Sequence, residues 1–131
     1  MFIINPTDAA PIWRQIEEGV RRLIAVGALK PGEPVPSVRE LAQSLRVNPN
    51  TVARSYQRLT ETGVLVVRRG EGTYVADRPA QAKKSERNEK LRDAAARYAS
   101  TALSVGVSLE DAVTELEASF ARLGGEDRRK A

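Results

Sequence analysis

Apolar positions recur with a helical period in three stretches of the first sixty residues. Ile12, Ile16, Val20, Leu23 and Ile24 lie at steps of three and four, the spacing of a single helix face. They predict a helix over 11–26, with Pro11 in its first turn and Gly27 as its stop. Val38, Leu41, Ala42 and Leu45 predict a second, shorter helix, and Ser37 with Glu40 three residues later has the form of a capping box. In the third stretch, "RVNPNTVARSYQRL", Asn48 can cap a helix, Pro49 suits its first position and Gly63 sits just past its end. At about 100° per residue, Val52, Ser55, Tyr56 and Leu59 face inward, and Asn50, Ala53, Arg54, Gln57 and Glu61 face outward.

Between the first two helices, "ALKPGEPVP" carries three prolines and a glycine and reads as a stiff loop. After the third, the period changes to that of strands. "VLVVRRGEGTYVA" holds two β-rich runs around Arg-Gly-Glu-Gly, the form of a hairpin with a glycine turn. The composition shifts again after Asp77-Arg78-Pro79. "AQAKKSERNEK" is polar, a helical lead-in or linker. Leu91, Ala95, Tyr98, Ala102 and Val105 then mark an amphipathic helix, interrupted at Gly106. Ser108 with Asp111 caps a last helix carrying Leu109, Ala112, Val113, Leu116, Phe120 and Leu123. The tail "GGEDRRKA" is expected to be disordered.

The expected fold is mostly α with a small β-hairpin: a winged helix-turn-helix over 9–77, a two-helix dimerisation region over 78–124 and a disordered tail over 125–131. Trp13 is expected in the core or packed at a domain interface. Two isolated amphipathic helices cannot bury their stripes alone, so a partner is implied, and a second copy related by a two-fold axis is the simplest one. Ala95, Ala99 and Ala102 allow close helix approach. The seam is expected to hold Leu91, Ala95, Tyr98, Ala102, Leu109, Val113, Leu116 and Phe120.

Composition narrows the chemistry. The 131 residues include neither cysteine nor histidine. Disulfides, a thiol nucleophile, an imidazole base and the usual zinc or copper ligands are therefore excluded, and neither an enzyme nor a cofactor is expected. No apolar run approaches the ~20 residues that span a bilayer, and the first residues lack a basic region before an apolar one, so a cytoplasmic protein is expected. The net charge is +4. Its placement is more telling. Residues 37–70 hold Arg39, Arg46, Arg54, Arg58, Arg68 and Arg69 against only Glu40 and Glu61, so this segment supplies the whole excess.

In a winged helix-turn-helix the second helix of the turn presents its first residues to the major groove. Asn and Gln can pair bidentately with adenine, Arg with guanine, and the backbone N–H groups of a helix start suit a phosphate. "GEGTY" has a superficial likeness to a phosphate loop, but it lacks the Lys-Ser/Thr of a nucleotide site and opens no helix.

"VPSVRELAQSLRVNPNTVARSYQRLTETGVLVVRRGEGTYV", with "APIWRQIEEGVRRLIAVGALKPGEPVPS" upstream, resembles the winged-helix domain of the GntR family of bacterial transcription regulators over residues 9–77. The "VNPNTVARSY" variant is similar to the YtrA-type branch. The resemblance implies operator contacts at Arg39, at Asn50 and Thr51, and at the wing tip, Arg69 and Gly70. There are departures. Pro49 stands where the family carries an arginine, and Ala53 stands in place of another, with Arg54 beside it. Arg54 then either replaces a lost base contact or bonds phosphate. With Gln57, Arg58 and Arg68 from the outward and basic positions, the expected DNA-facing set is Arg39, Asn50, Thr51, Arg54, Gln57, Arg58, Arg68, Arg69 and Gly70.

The expected function is that of a sequence-specific transcription regulator. It would repress by binding a palindromic operator in double-stranded DNA as a homodimer, with room for a small-molecule effector that releases it. A sequence-neutral architectural DNA protein is the rival, against which the polar outward face argues. The family also includes members with an appended aminotransferase domain; no cofactor-lysine motif is found here, so that activity is not expected.

Overall fold

The computed structural model describes residues 2–129, with side chains through residue 125. The chain divides into two compact units, one of residues 1–80 with 124–131 and one of residues 81–123.

In the first unit, α1 (Ile12–Ala25) starts directly after Pro11 and ends at Val26, with Gly27 taking a positive φ of 80°. Its buried face is Ile16, Gly19, Val20 and Leu23, joined by one carboxylate, Glu17. α2 (Val38–Leu45) begins with the full capping box: the Glu40 amide donates to Ser37 Oγ at 3.1 Å and the Ser37 amide to Glu40 Oε1 at 3.2 Å. Arg46 then adopts a left-handed conformation, φ 58°, and the chain reverses into α3 (Pro49–Glu61) within three residues. The Asn48 side chain accepts from the Asn50 amide at 2.8 Å and Pro49 occupies the first turn, so the polar, abrupt start is a cap.

α3 buries Val52, Ser55, Tyr56 and Leu59, the four positions its period selects. Ile16 and Leu23 of α1, Leu41 of α2 and Leu59 of α3 are among the largest fully buried side chains. The hairpin closes the core with Leu65 and Val75. Its strands are β1 (Leu65–Arg68) and β2 (Gly72–Val75), antiparallel in the register Leu65↔Val75 to Arg68↔Gly72. Tyr56 reaches out of α3 to donate its phenolic hydrogen to the Pro36 carbonyl at 2.7 Å, tying α3 to the entry of α2. Burial, with the nearby Glu40 charge added to it, pushes the phenol well above its ordinary range, so it remains a donor at every physiological pH.

Two parts of this unit depart from the sequence reading. The segment read as a stiff loop runs beside β2: Gly32 N donates to Val75 O, Val75 N to Glu33 O and Val35 N to Thr73 O, at 2.8–3.0 Å. Pro34, which has no hydrogen to donate, bridges Tyr74 at this edge, where a proline is tolerated. The unit also begins earlier than residue 9. Phe2 is buried against α1, and a Cβ at Gly19 would meet its ring at 2.7 Å. The Gln15 side chain holds the Asn5 backbone from both sides, accepting from its amide and donating to its carbonyl, each at 2.9 Å.

In the second region, α4 (Lys84–Ser104) and α5 (Leu109–Arg129) flank a turn in which Gly106 has a φ of 76°. Ser108 Oγ accepts from the Asp111 amide at 3.1 Å, the expected cap. Tyr98 fastens the two helices by donating its hydroxyl to the Ala112 carbonyl at 2.7 Å. Ala112 is buried, but no residue of α4 is. α5 continues through Arg129, past the glycine pair where the sequence reading ends it. Glu126, Arg128 and Arg129 are good helix formers, and each glycine costs only about 1 kcal/mol. The remainder of the expected disordered tail, residues 130 and 131, lies outside the described residues.

Candidate nucleic-acid interface

Three elements of the first unit supply the polar, exposed residues of the candidate face. The first is α2, whose second residue, Arg39, is exposed. Among the described residues Arg39 makes no hydrogen bond or ion pair. Glu40, the neighbouring carboxylate, accepts from the Ser37 amide and, one residue along the helix, does not face the Arg39 guanidinium.

The second element is the start and outer face of α3. Asn50, Ala53, Arg54, Gln57 and Glu61 are all exposed, as the period requires, and Thr51 is half-buried. Asn48 does the capping, and the Asn50 side-chain amide makes no hydrogen bond among the described residues. Gln57 Nε2 donates to Glu61 Oε1 at 3.2 Å, one turn on. Arg58, grouped with the DNA-facing set on its charge, is placed differently. Its Nε donates to Glu17 Oε2 at 2.9 Å, and that carboxylate side chain is only 10% exposed. The Arg58 charge is thus the partner that makes burial of Glu17 tolerable.

The third element is the hairpin turn. Arg69, Gly70 and Glu71 form it, with the Glu71 amide donating to the Arg68 carbonyl at 2.9 Å. Gly70 has a φ of 79°, a conformation that a side chain would strain. Arg69 is exposed and, like Arg39, makes no hydrogen bond or ion pair among the described residues. Arg68 lies over the Tyr74 ring across the hairpin, 4.2 Å from its centroid, which steadies the base of the wing.

Among the described residues no group of three or more His, Cys, Asp or Glu is placed to hold a metal ion, and no helix is long and apolar enough to cross a membrane. What the face offers is hydrogen-bonding side chains and cations on a short helix, with further arginines before and after it.

Residues 13–75 match the family described as bacterial regulatory proteins, gntR family. The solved structure of YtrA from Sulfolobus acidocaldarius, a GntR-family transcription factor, is similar to the chain over nearly its whole length: 33% identity, 91% of this chain and 96% of that one, TM-score 0.52. The chain belongs to the GntR family. Over 77 residues it is 42% identical to the HTH-type transcriptional repressor YtrA of Bacillus subtilis. That match covers 59% of each, so the aligned part spans about three fifths of that relative. The structure of the AraR DNA-binding domain in complex with its operator ORX1 is similar to 58% of the chain, at 26% identity and a TM-score of 0.53.

Within this GntR fold, two residues outside the sequence-derived set join the candidate site. Trp13 of α1 is half-buried, with Arg58, Arg54 and Arg14 around its ring, and Glu17 holds Arg58. One signal for Glu17 was present: a carboxylate next to Ile16 in a buried stripe demands a cationic partner. Nothing in the sequence said which of the arginines it would be.

Proposed function

We propose that the chain is a transcriptional repressor that reads a palindromic operator as a homodimer. The observation that carries this reading is the division of α3: Val52, Tyr56 and Leu59 are buried, while Asn50 and Gln57 stand exposed at its start and middle, with Arg54 between them. A helix that points side-chain amides outward from a rigid seat has the chemistry of base-edge readout. The family membership and the operator complex of AraR support it. Arg39 and Arg69 flank the reading helix with cations that make no hydrogen bond or ion pair among the described residues.

Dimerisation is assigned to α4 and α5, which keep Leu91 (69%), Leu109 (82%) and Phe120 (76%) exposed in the single chain. Tyr98, Val113 and Leu116 are also exposed, with Ala95, and Ala102 is half-buried. A large exposed apolar set on two helices marks an interaction surface. A small effector that altered the helix pair would change half-site spacing and release the operator.

Two substitutions test the DNA face. Arg39→Ala is expected to weaken binding to a matched duplex by about 1–3 kcal/mol, the scale of a lost bidentate base contact, with the melting temperature unchanged. Unaltered affinity in a gel shift at moderate salt would remove Arg39 from the interface. Arg69→Ala is expected to lower affinity for matched and scrambled duplexes alike, and to reduce the salt slope by about one. A loss confined to the matched duplex would make the wing a base reader instead.

A further inference from the structure

The Trp13 indole has three guanidinium groups around it: Arg58 at 4.5 Å from the ring centroid, Arg54 at 4.9 Å and Arg14 at 5.6 Å. Trp13 and Glu17 are one turn apart on α1, and Arg54 and Arg58 are one turn apart on α3. The two pairs meet across the seam between these helices. Ser55 sets their alignment, its hydroxyl donating to the Trp13 carbonyl at 2.8 Å.

The two rungs of this ladder differ. Arg58 lies over the indole and also bonds the Glu17 carboxylate at 2.9 Å, so its charge is answered by a partner within the unit. Arg54 has the ring alone; no carboxylate bonds it among the described residues. An aromatic face holds a guanidinium in place without cancelling its charge. It also leaves the N–H edge free, because stacking uses the plane of the group and bidentate hydrogen bonding uses its rim. Three cations around one carboxylate leave a local positive excess, which an approaching anion would relieve.

We infer that Trp13 is a positioning residue of the DNA face: its indole holds Arg54 toward α1 as a phosphate clamp, while Glu17 pairs with the charge of Arg58. A helix in the major groove meets base edges along its exposed midline and the sugar-phosphate backbone at its flanks. An arginine drawn over a neighbouring helix lies at the flank. Holding it there removes part of the side-chain entropy that would otherwise be lost on binding. The inference rests on the DNA reading proposed above and assigns different roles to two arginines that the sequence grouped together.

The test is a double-mutant cycle with the 131-residue chain, measured on a duplex recovered from a random pool and on a scrambled one. Arg54→Ala is expected to weaken binding to both duplexes and to lower the salt slope by about one. Trp13→Leu should cost about two- to fivefold in the wild-type background and nothing further once Arg54 is alanine. Trp13→Phe should restore part of the loss. An equal loss from Trp13→Leu in both backgrounds would overturn the inference, because Trp13 would then act through packing alone. So would an Arg54→Ala effect limited to one base position. If Trp13→Leu does not fold, the cycle with Trp13→Phe decides, and zero coupling there is the contrary result. Wild-type protein that binds neither duplex would end the DNA reading itself, and this inference with it.

Discussion

A chain ending at Ala80 is expected to fold, to sediment as a monomer and to bind a two-half-site operator at least about a hundredfold more weakly than the 131-residue chain. It should fold because the buried cluster, from Phe2 through Val75, lies entirely within the retained residues. Ala80 is kept because its amide donates to the Gly63 carbonyl at 3.1 Å, just past the end of α3. It should be monomeric because the exposed apolar side chains of α4 and α5 leave with the deleted segment. The affinity loss follows from linkage: two half-sites held in one dimer bind as a single ligand, and two separate monomers do not. Leu116→Asp should reproduce most of the effect without shortening the chain. Leu116 is 46% exposed in the single chain, so a charge there is tolerated by the helix, but it would be desolvated in a dimer seam. Sedimentation and gel shift on both proteins decide the matter. A truncated chain that remains dimeric, or binds as tightly as the longer one, would place the dimer contact in the winged helix.

Val52→Asp should unfold the first unit outright, whereas Ala53→Asp, one residue along, should leave it folded. Val52 is fully buried among the helices and Ala53 is exposed. An unpaired carboxylate in the core costs several kcal/mol, against a total stability of about 5–15 kcal/mol for a domain of this kind. The same charge on Ala53 meets water, and its cost should instead appear as lost affinity for a polyanion. Circular dichroism and thermal melts on the pair measure the orientation of α3 directly. Folded Val52→Asp protein would mean that the helix is turned the other way.

The elements most legible in the sequence are those fixed by local chemistry. The capping box of Ser37 and Glu40, the Asn48 cap before Pro49 and the inward face of α3 depend on residues a few positions apart, and their spacing reveals them. The parts that were not legible depend on distant partners. Three prolines hid the backbone pairing of residues 32–35 with β2, because β-propensity counts proline against a strand even at a tolerant edge. Phe2 gave no periodic signal, and only the absence of a side chain at Gly19 makes room for it. The Trp13 ladder depends on how α1 crosses α3. A helical period shows which face of each helix points inward, but it does not show which residue of one meets which residue of the other. For that reason Arg54 and Arg58 looked alike in the sequence, although the fold answers the charge of only one.

In the proposed function, two copies of α3 read base sequence together. Selecting bound DNA from a random duplex pool with the 131-residue chain tests it most directly. One enriched motif is expected, made of two inverted half-sites centred about one helical turn, ~34 Å, apart. DNA that is bound and recovered with no sequence enrichment would contradict base readout and favour a sequence-neutral architectural protein, and an enriched but unrepeated half-site would contradict the dimer.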